Sequence, residues 1–467
     1  MKNCDNPVYQ VLQYITTLLT NALVLEPSST PVSDGTATPV SCNSDAGNDK
    51  EEELQPEGAS SSTPKRQKLF FDVREMLKNH PDGGAIESEM DDGLLSSQSR
   101  IKAVRIFVSH LMEKYGDRPK SHIKEALARS IIVQFPKLKG DGHGYEAWYT
   151  TSIAQHVATG YLEERLRNVR KRTAKKNQLF SPQRKSELNH STASSSSSLE
   201  NDEEAIDPAE VEAMTQWLKH NKEPLSQVRD YQRKTARKRL SWIKDNPDKP
   251  VKEIFVQYPR LLDTPGLISM DFAVLKPGSE DHLFHLWTPG LAKSILQYAD
   301  KQNDWSRHLG VQLDNNTDDE ICNIALQCLP CIFPTGSHKI KGKSRRATIN
   351  EAISSFVDAR KIGTNIPAYL ENVKNKQPFV LVLGARVKPE QVFVIIEREA
   401  IPQDSLLKAV DLCFKCFYVY DIDYPWQTCN SWQFLQSAIF GIEGIAKATS
   451  SSVMSLKAFL KIKRKPE

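Results

Sequence analysis

The sequence predicts a mostly helical protein with a minor β part, an α+β fold. A small N-terminal helical module and a larger helical domain containing one β-hairpin are joined by disordered linkers. Three observations carry this expectation. Apolar residues recur at three- and four-residue spacing over much of 70–176 and 207–445. One pair of strand-like runs, QPFVLVLGARV and QVFVIIERE, is separated by Lys388-Pro389-Glu390. Two tracts are too polar to bury the surface that would offset their ordering entropy.

The first of these tracts lies within 1–69, read as largely disordered with one short helix over Val8–Leu25. Ser, Thr, Pro and acidic residues dominate 26–63. In the helical module, 70–176, Asp72 reads as an N-cap for a short helix through His80. Ile101, Val104, Val108, Leu111 and Met112 then share a face until Gly116 stops the helix. Ser121 reads as the cap of another helix, with Ile123, Leu127 and Ile131 inward and Pro136 ending it. A last helix from about Thr159 aligns Leu162, Leu166, Val169 and Thr173.

Residues 177–206 are a Ser-rich linker. The larger domain, 207–445, opens at Asp207-Pro208, a cap followed by proline at the first helical position. Helices are expected near 208–220, 224–246, 289–301, 317–328 and 348–361, then the hairpin, then helices near 404–418 and 429–442. Residues 446–467 read as a basic tail.

The chain has 467 residues, with 62 Lys+Arg against 58 Asp+Glu for a formal charge of +4, and 39% of its residues are hydrophobic. That length allows two or three domains once disordered tracts are subtracted, and the apolar content excludes a wholly disordered chain. Eight cysteines are too sparse for a disulfide scaffold, so a reducing compartment fits. The run Val8–Leu25 is interrupted by Gln10, Gln13 and Asn21 and lacks a cleavage site, so it reads as an amphipathic helix rather than a signal or a span. An intracellular protein without a membrane partner is expected.

Charge is unevenly distributed. Nine Lys/Arg and no acidic residue lie between Arg165 and Lys185. With Leu162, Leu166 and Val169 inward, Arg167, Arg170 and Lys171 are expected outward, and Arg172, Lys175 and Lys176 continue the basic run. Such clusters neutralise phosphates and release counterions. They are also read by import receptors, as is Pro64-Lys65-Arg66-Gln67-Lys68. The candidate nucleic-acid or import residues are therefore Lys65, Arg66, Lys68, Arg167, Arg170, Lys171, Arg172, Lys175 and Lys176. A second basic helix, 225–244, puts Arg229, Arg233, Lys234 and Arg237 opposite Val228, Tyr231, Thr235 and Trp242, the pattern of a solvated helix face.

Motifs for chemistry are weak. GSHKIKGKS, Gly336–Ser344, approaches a phosphate loop if Leu329–Phe333 is a strand, with Lys343 as the phosphate lysine, but its glycine spacing is one residue too long. Cys328/Cys331 and Cys413/Cys416 have C-x-x-C spacing, yet both pairs sit among apolar residues and far apart, which suits core packing better than zinc. His143 and His156 read as surface loop histidines. Asp421 and Asp423 suit a turn. No catalytic residues, metal or cofactor are expected.

Two blocks carry a family likeness. One comprises DVREMLKNHP, GYEAWY and TGYLEERLRNVRKR; the other comprises LPCIFPTG, QPFVLVLG, VFVIIERE, KAVDLCFKCFYVYDIDYPW and WQFLQSAIFGIEG. Over about 70–176 and 207–445 the chain resembles the C-terminal region of sterile-alpha-motif-domain-containing protein 3-like proteins, while 1–69 departs from the compact bundle that names the family. The resemblance implies no catalytic residue.

The functional expectation is a non-enzymatic nuclear interaction protein that docks nucleic acid or chromatin through basic helices. The alternative is a nuclear or cytoplasmic protein-binding scaffold whose basic runs serve only import. A third reading is a divergent nucleotide hydrolase using Lys343.

Overall fold

The computed structural model describes residues 69–152, 157–178, 207–340, 342–373, 375–442 and 449–461. All fall in one compact unit, Gln67–Glu467. The reading of 1–68 lies outside the described residues, as does that of the 177–206 linker apart from 177–178, which continue a helix.

The N-terminal helices are α1 (Val73–Lys78), α2 (Gly83–Asp92), α3 (Ser97–Tyr115), α4 (Ser121–Gln134) and α5 (Tyr161–Gln178), with a short 3-10 turn at Pro136–Leu138. Asp72 caps α1 by accepting from the Glu75 amide. The cap of α4 is Lys120, so Ser121 is its first helical residue rather than its cap. Val104, Phe107, Val108 and Leu111 of α3 meet Leu127 and Ile131 of α4 and Leu162 and Leu166 of α5 in one core. Ile101 lies at the margin of the α3 stripe and is 50% exposed, against the sequence expectation. Burial likewise fades along α5 from Leu162 to the exposed Thr173, because the helix runs past its core.

Gly160 makes the approach to α5 possible. Its φ is +102°, and a Cβ there would sit 2.5 Å from the Trp148 carbonyl oxygen. That left-handed backbone favours glycine, and it lets Thr159 bridge to Thr150 just before the helix begins.

The larger part contains α6 (Pro208–His220), α7 (Leu225–Lys244), α8 (Val251–Gln257), α9 (Arg260–Asp263), α10 (Leu267–Leu275), α11 (His282–Leu286), α12 (Pro289–Asp300), α13 (Trp305–Leu309) and α14 (Asp318–Ile332). Then follow β1 (Ser337–Ile340), β2 (Lys343–Arg346), α15 (Ile349–Phe356), β3 (Val357–Arg360), α16 (Ile366–Glu371), β4 (Phe379–Gly384), β5 (Pro389–Ile396), β6 (Glu399–Gln403), α17 (Leu406–Val419), α18 (Cys429–Phe434) and α19 (Ser451–Leu460). A π-helical turn, Leu435–Ile439, continues α18. The fold is mostly helical with a minor β part, as the periodicities indicate.

The sheet is larger than one hairpin. Its order is β3-β4-β5-β6, with β3 parallel to β4 and the other pairs antiparallel. The expected hairpin is β4–β5, in which Pro389 opens β5, a strand position that proline tolerates. Two strands come from runs read otherwise. The end of the helix expected at 348–361 turns into β3. The second strand run folds back at Glu397-Arg398, both with positive φ, into β6. This two-residue turn has the backbone that matches strand twist, without the Asn-Gly or Asp-Gly pair that usually announces it.

Residues 446–467, read as a basic tail, contain α19. Val453 and Leu456 are fully buried in the core of the larger part. Ser451 Oγ donates to Glu164 Oε1 at 2.8 Å, so α19 ties that part to α5. Gln302 adds a second tie, donating to the Leu95 carbonyl at 3.0 Å while its Oε1 accepts from Ser97 Oγ at 2.8 Å.

Candidate functional site

The basic stretch of α5 divides in the structure. Glu163, buried within the first turn, accepts from Lys124 Nζ at 2.5 Å and from Arg170 Nη2 at 2.7 Å, with Arg167 Nε 3.8 Å away. Arg167 also donates to the Ala158 carbonyl. These two arginines, expected outward, turn back onto a buried carboxylate. Helical geometry explains this: positions 163, 167 and 170 share one face at i, i+4 and i+7.

On another face of α5, Arg165 and Arg172 stand seven residues apart, joined by Arg105 from α3. No ion pair or hydrogen bond engages these three guanidiniums among the described residues, and the buried Nε of Arg165 has no acceptor. Burial, and next the positive charges of Arg105 and Arg172, push the Arg165 guanidinium down from its ordinary value. Among the described residues, three cations thus lie together with no carboxylate paired to them, an arrangement an incoming anion would relieve. Lys171 is exposed beside them.

Of the sequence candidates, Arg172 and Lys171 belong to this open surface, while Arg167 and Arg170 are held by Glu163. Lys175 and Lys176 lie within α5, and their side chains are outside the described residues. Lys65, Arg66 and Lys68 are outside them as well. Arg165 opens the basic run but is not among the candidate residues, and Arg105 escaped the sequence reading. Arg105 belongs to a helix of mixed composition with no basic run, and only the packing of α3 on α5 makes it part of a cluster.

The second basic helix is largely neutralised. Lys234 Nζ lies 2.8 Å from Asp230 Oδ2, Arg233 Nη1 lies 3.9 Å from Asp230 Oδ1, and Lys238 pairs with Glu212. Arg239 is fully buried against Asp271.

The remaining motifs resolve by context. Leu329–Phe333 is the end of α14 rather than a strand, and Lys343 sits in β2, paired antiparallel with β1. A phosphate loop requires a strand–loop–helix passage, so the context for the hydrolase reading is missing. Cys328, Cys331, Cys413 and Cys416 are buried in one apolar core, where burial pushes the Cys331 thiol up to about 12. Among the described residues no group of three or more His, Cys, Asp or Glu side chains is placed to hold a metal. His143 stacks on Tyr145, with ring centroids 5.7 Å apart. Asp421 occupies a turn with φ of +51°. His156 lies outside the described residues.

Among the described residues no helix is long and apolar enough to cross a membrane. No family model, curated protein or solved structure matches the chain.

Proposed function

We propose that the protein is a non-enzymatic interaction protein of the nucleus that docks nucleic acid on the arginine face of α3 and α5. The observation that supports this most directly is the uncompensated grouping of Arg105, Arg165 and Arg172. A fold gains nothing from holding three guanidiniums together, whereas a phosphate backbone supplies repeated acceptors for them. Nothing in the arrangement reads base edges, so the binding is electrostatic and independent of sequence. The basic runs at 64–68 and 165–185 serve nuclear import in this reading. The resemblance to the sterile-alpha-motif-domain-containing protein 3-like proteins contributes no residue to it.

The test is fluorescence anisotropy of the full chain with a random-sequence duplex across salt concentrations. Three phosphate contacts alone make affinity fall about fortyfold between 50 and 200 mM salt. The triple variant Arg105→Ala, Arg165→Ala, Arg172→Ala should reduce the logarithmic salt slope by roughly 2–3. Absence of binding at 50 mM salt, or an unchanged slope in the folded triple variant, overturns the proposal in favour of a scaffold whose basic runs serve only import.

A further inference from the structure

A cleft of about 1060 Å3 opens between β6 and the α9–α11 region. Its floor is one stripe of α17, Lys408, Asp411, Leu412 and Lys415, which are neighbours on a helix at i, i+3, i+4 and i+7. One wall is the whole of β6. The opposite wall includes Ile268 and Met270 of α10 and Phe284 of α11.

The β6 wall is the end of the sheet. Ile396 and Glu399 close the two-residue turn and exchange both ladder bonds, so Val394–Ile401 and Val392–Gln403 are the next bonded pairs. Ala400 and Pro402 therefore point their main-chain groups away from β5. Ala400 offers an N–H and a C=O to the cleft side, and Pro402 offers a C=O that in the free protein accepts from the Gln403 side-chain amide at 2.6 Å, a bond an incoming strand would replace or share. Proline is tolerated there because the N–H it lacks would not have served the existing ladder. A neighbouring strand lies about 4.8 Å from the one it pairs with, which places it over the α17 stripe.

The charges in the cleft are unbalanced. Six carboxylates line it against two ammonium groups, and one of the six, Asp263, is paired with Lys222 and Arg260 from outside the lining. Both ammonium groups are already engaged: Lys408 Nζ is 2.6 Å from Asp404 Oδ2, and Lys415 Nζ is 2.7 Å from Asp411 Oδ2 and 3.3 Å from Ser269 Oγ. Asp411 is 4% exposed, and its other oxygen, Oδ1, is buried with no partner. Glu280 Oε2 on the facing wall is likewise buried and unpartnered. Buried acceptors without donors are uncommon in folded proteins, and two residues that line this one cleft carry them.

We propose that this cleft binds an extended segment of a partner protein as a fifth strand on β6, with a Lys or Arg of that segment donating to Asp411 Oδ1 and Glu280 Oε2. The backbone of the segment supplies the ladder bonds to Ala400 and Pro402, and its alternate apolar side chains rest on Leu412 and Phe284. This is the edge-addition mode of peptide recognition, in which main-chain bonds give affinity and pockets for alternate side chains give specificity. The site shares no residue with the arginine face, so either can fail alone.

A random dodecapeptide library displayed on phage and panned on the full chain tests the proposal. The expected enrichment is for segments alternating apolar residues with Lys or Arg. A synthetic enriched peptide should bind at least tenfold more weakly to Glu280→Gln than to the unaltered chain. N-methylation of alternate peptide amides, which leaves the protein untouched, should abolish binding in one register and spare it in the other. Enrichment of acidic or helical peptides, no enrichment at all, or equal tolerance of N-methylation at every position overturns the proposal. So does unchanged affinity when the peptide's basic residue is replaced by Glu.

Discussion

Arg239 on α7 meets Asp271 on α10 fork to fork, with Nε 2.6 Å from Oδ2 and Nη2 2.5 Å from Oδ1, and both side chains are out of solvent. Gln232 donates to the same carboxylate at 3.2 Å, and Arg239 Nη1 donates to Thr235 Oγ1 at 2.8 Å. The pair joins two helices of the larger core and fixes their register.

Breaking such a pair leaves an uncompensated buried charge. Asp271→Ala should lower unfolding stability by about 3–5 kcal/mol, whereas the double replacement Arg239→Met, Asp271→Leu should recover most of it. Chemical denaturation of both variants checks the difference. Equal losses would mean that the pair's geometry, not the stranded charge, governs the site.

The Glu163 hub gives a parallel expectation in the N-terminal helices. Lys124 is buried, so Glu163→Ala strands its ammonium and should destabilise the fold by about 3 kcal/mol or more. The same change releases Arg167 and Arg170, so at low salt the folded fraction should bind a random duplex more tightly than the unaltered chain. Thermal unfolding and anisotropy read the two effects separately.

Asp411 should impose a pH dependence of unusual sign for a carboxylate. Burial, opposed by the neighbouring Lys415 charge, pushes its carboxyl from 3.8 up to about 6. The folded state therefore binds this proton more tightly than the unfolded chain, and stability falls as pH rises from about 4 to 6. Asp411→Asn should gain stability relative to the unaltered chain across that window, by roughly 3 kcal/mol in all. Denaturation midpoints at pH 4, 5, 6 and 7 follow the difference. A flat difference would show that Lys415 fully compensates the buried charge.

The four core thiols should be inert. Burial raises Cys328, Cys331, Cys413 and Cys416 above the ordinary thiol range, and the thiolate is the reactive form. Native protein treated with a maleimide at pH 8 should leave all four unmodified by peptide mass mapping, and all four should react in denaturant. Labelling of any of them in the native state would show that the core opens locally.

The legible parts of the fold were those set by local periodicity and caps. Asp72, Asp207-Pro208 and Thr348 start helices where the sequence places them, and the β4–β5 hairpin follows from its two apolar runs. What stayed hidden depended on partners distant in the chain. β3 is four residues, Val357–Arg360, that become a strand only because β4 lies alongside. α19 looks like a tail because the basic run Lys461–Lys465 follows its short apolar stretch, and it folds because α12 and α18 supply the surface it covers. Leu329–Phe333 has strand composition yet ends α14, where tertiary burial overrides propensity.

The same division holds for the candidate sites. The sequence by itself determined the helical class, the hairpin, the burial of the paired cysteines and the concentration of positive charge after Arg165. Only the tertiary structure decided which charges are free. Glu163 takes Arg167 and Arg170 out of the basic face, Arg105 crosses from α3 to join Arg165 and Arg172, and Arg239 and Asp411 disappear into the interior. The physical reason is that hydrophobic periodicity is written within a single element, whereas electrostatic pairing acts through space. A charge's role is settled by whichever side chain folding brings within a few ångströms of it.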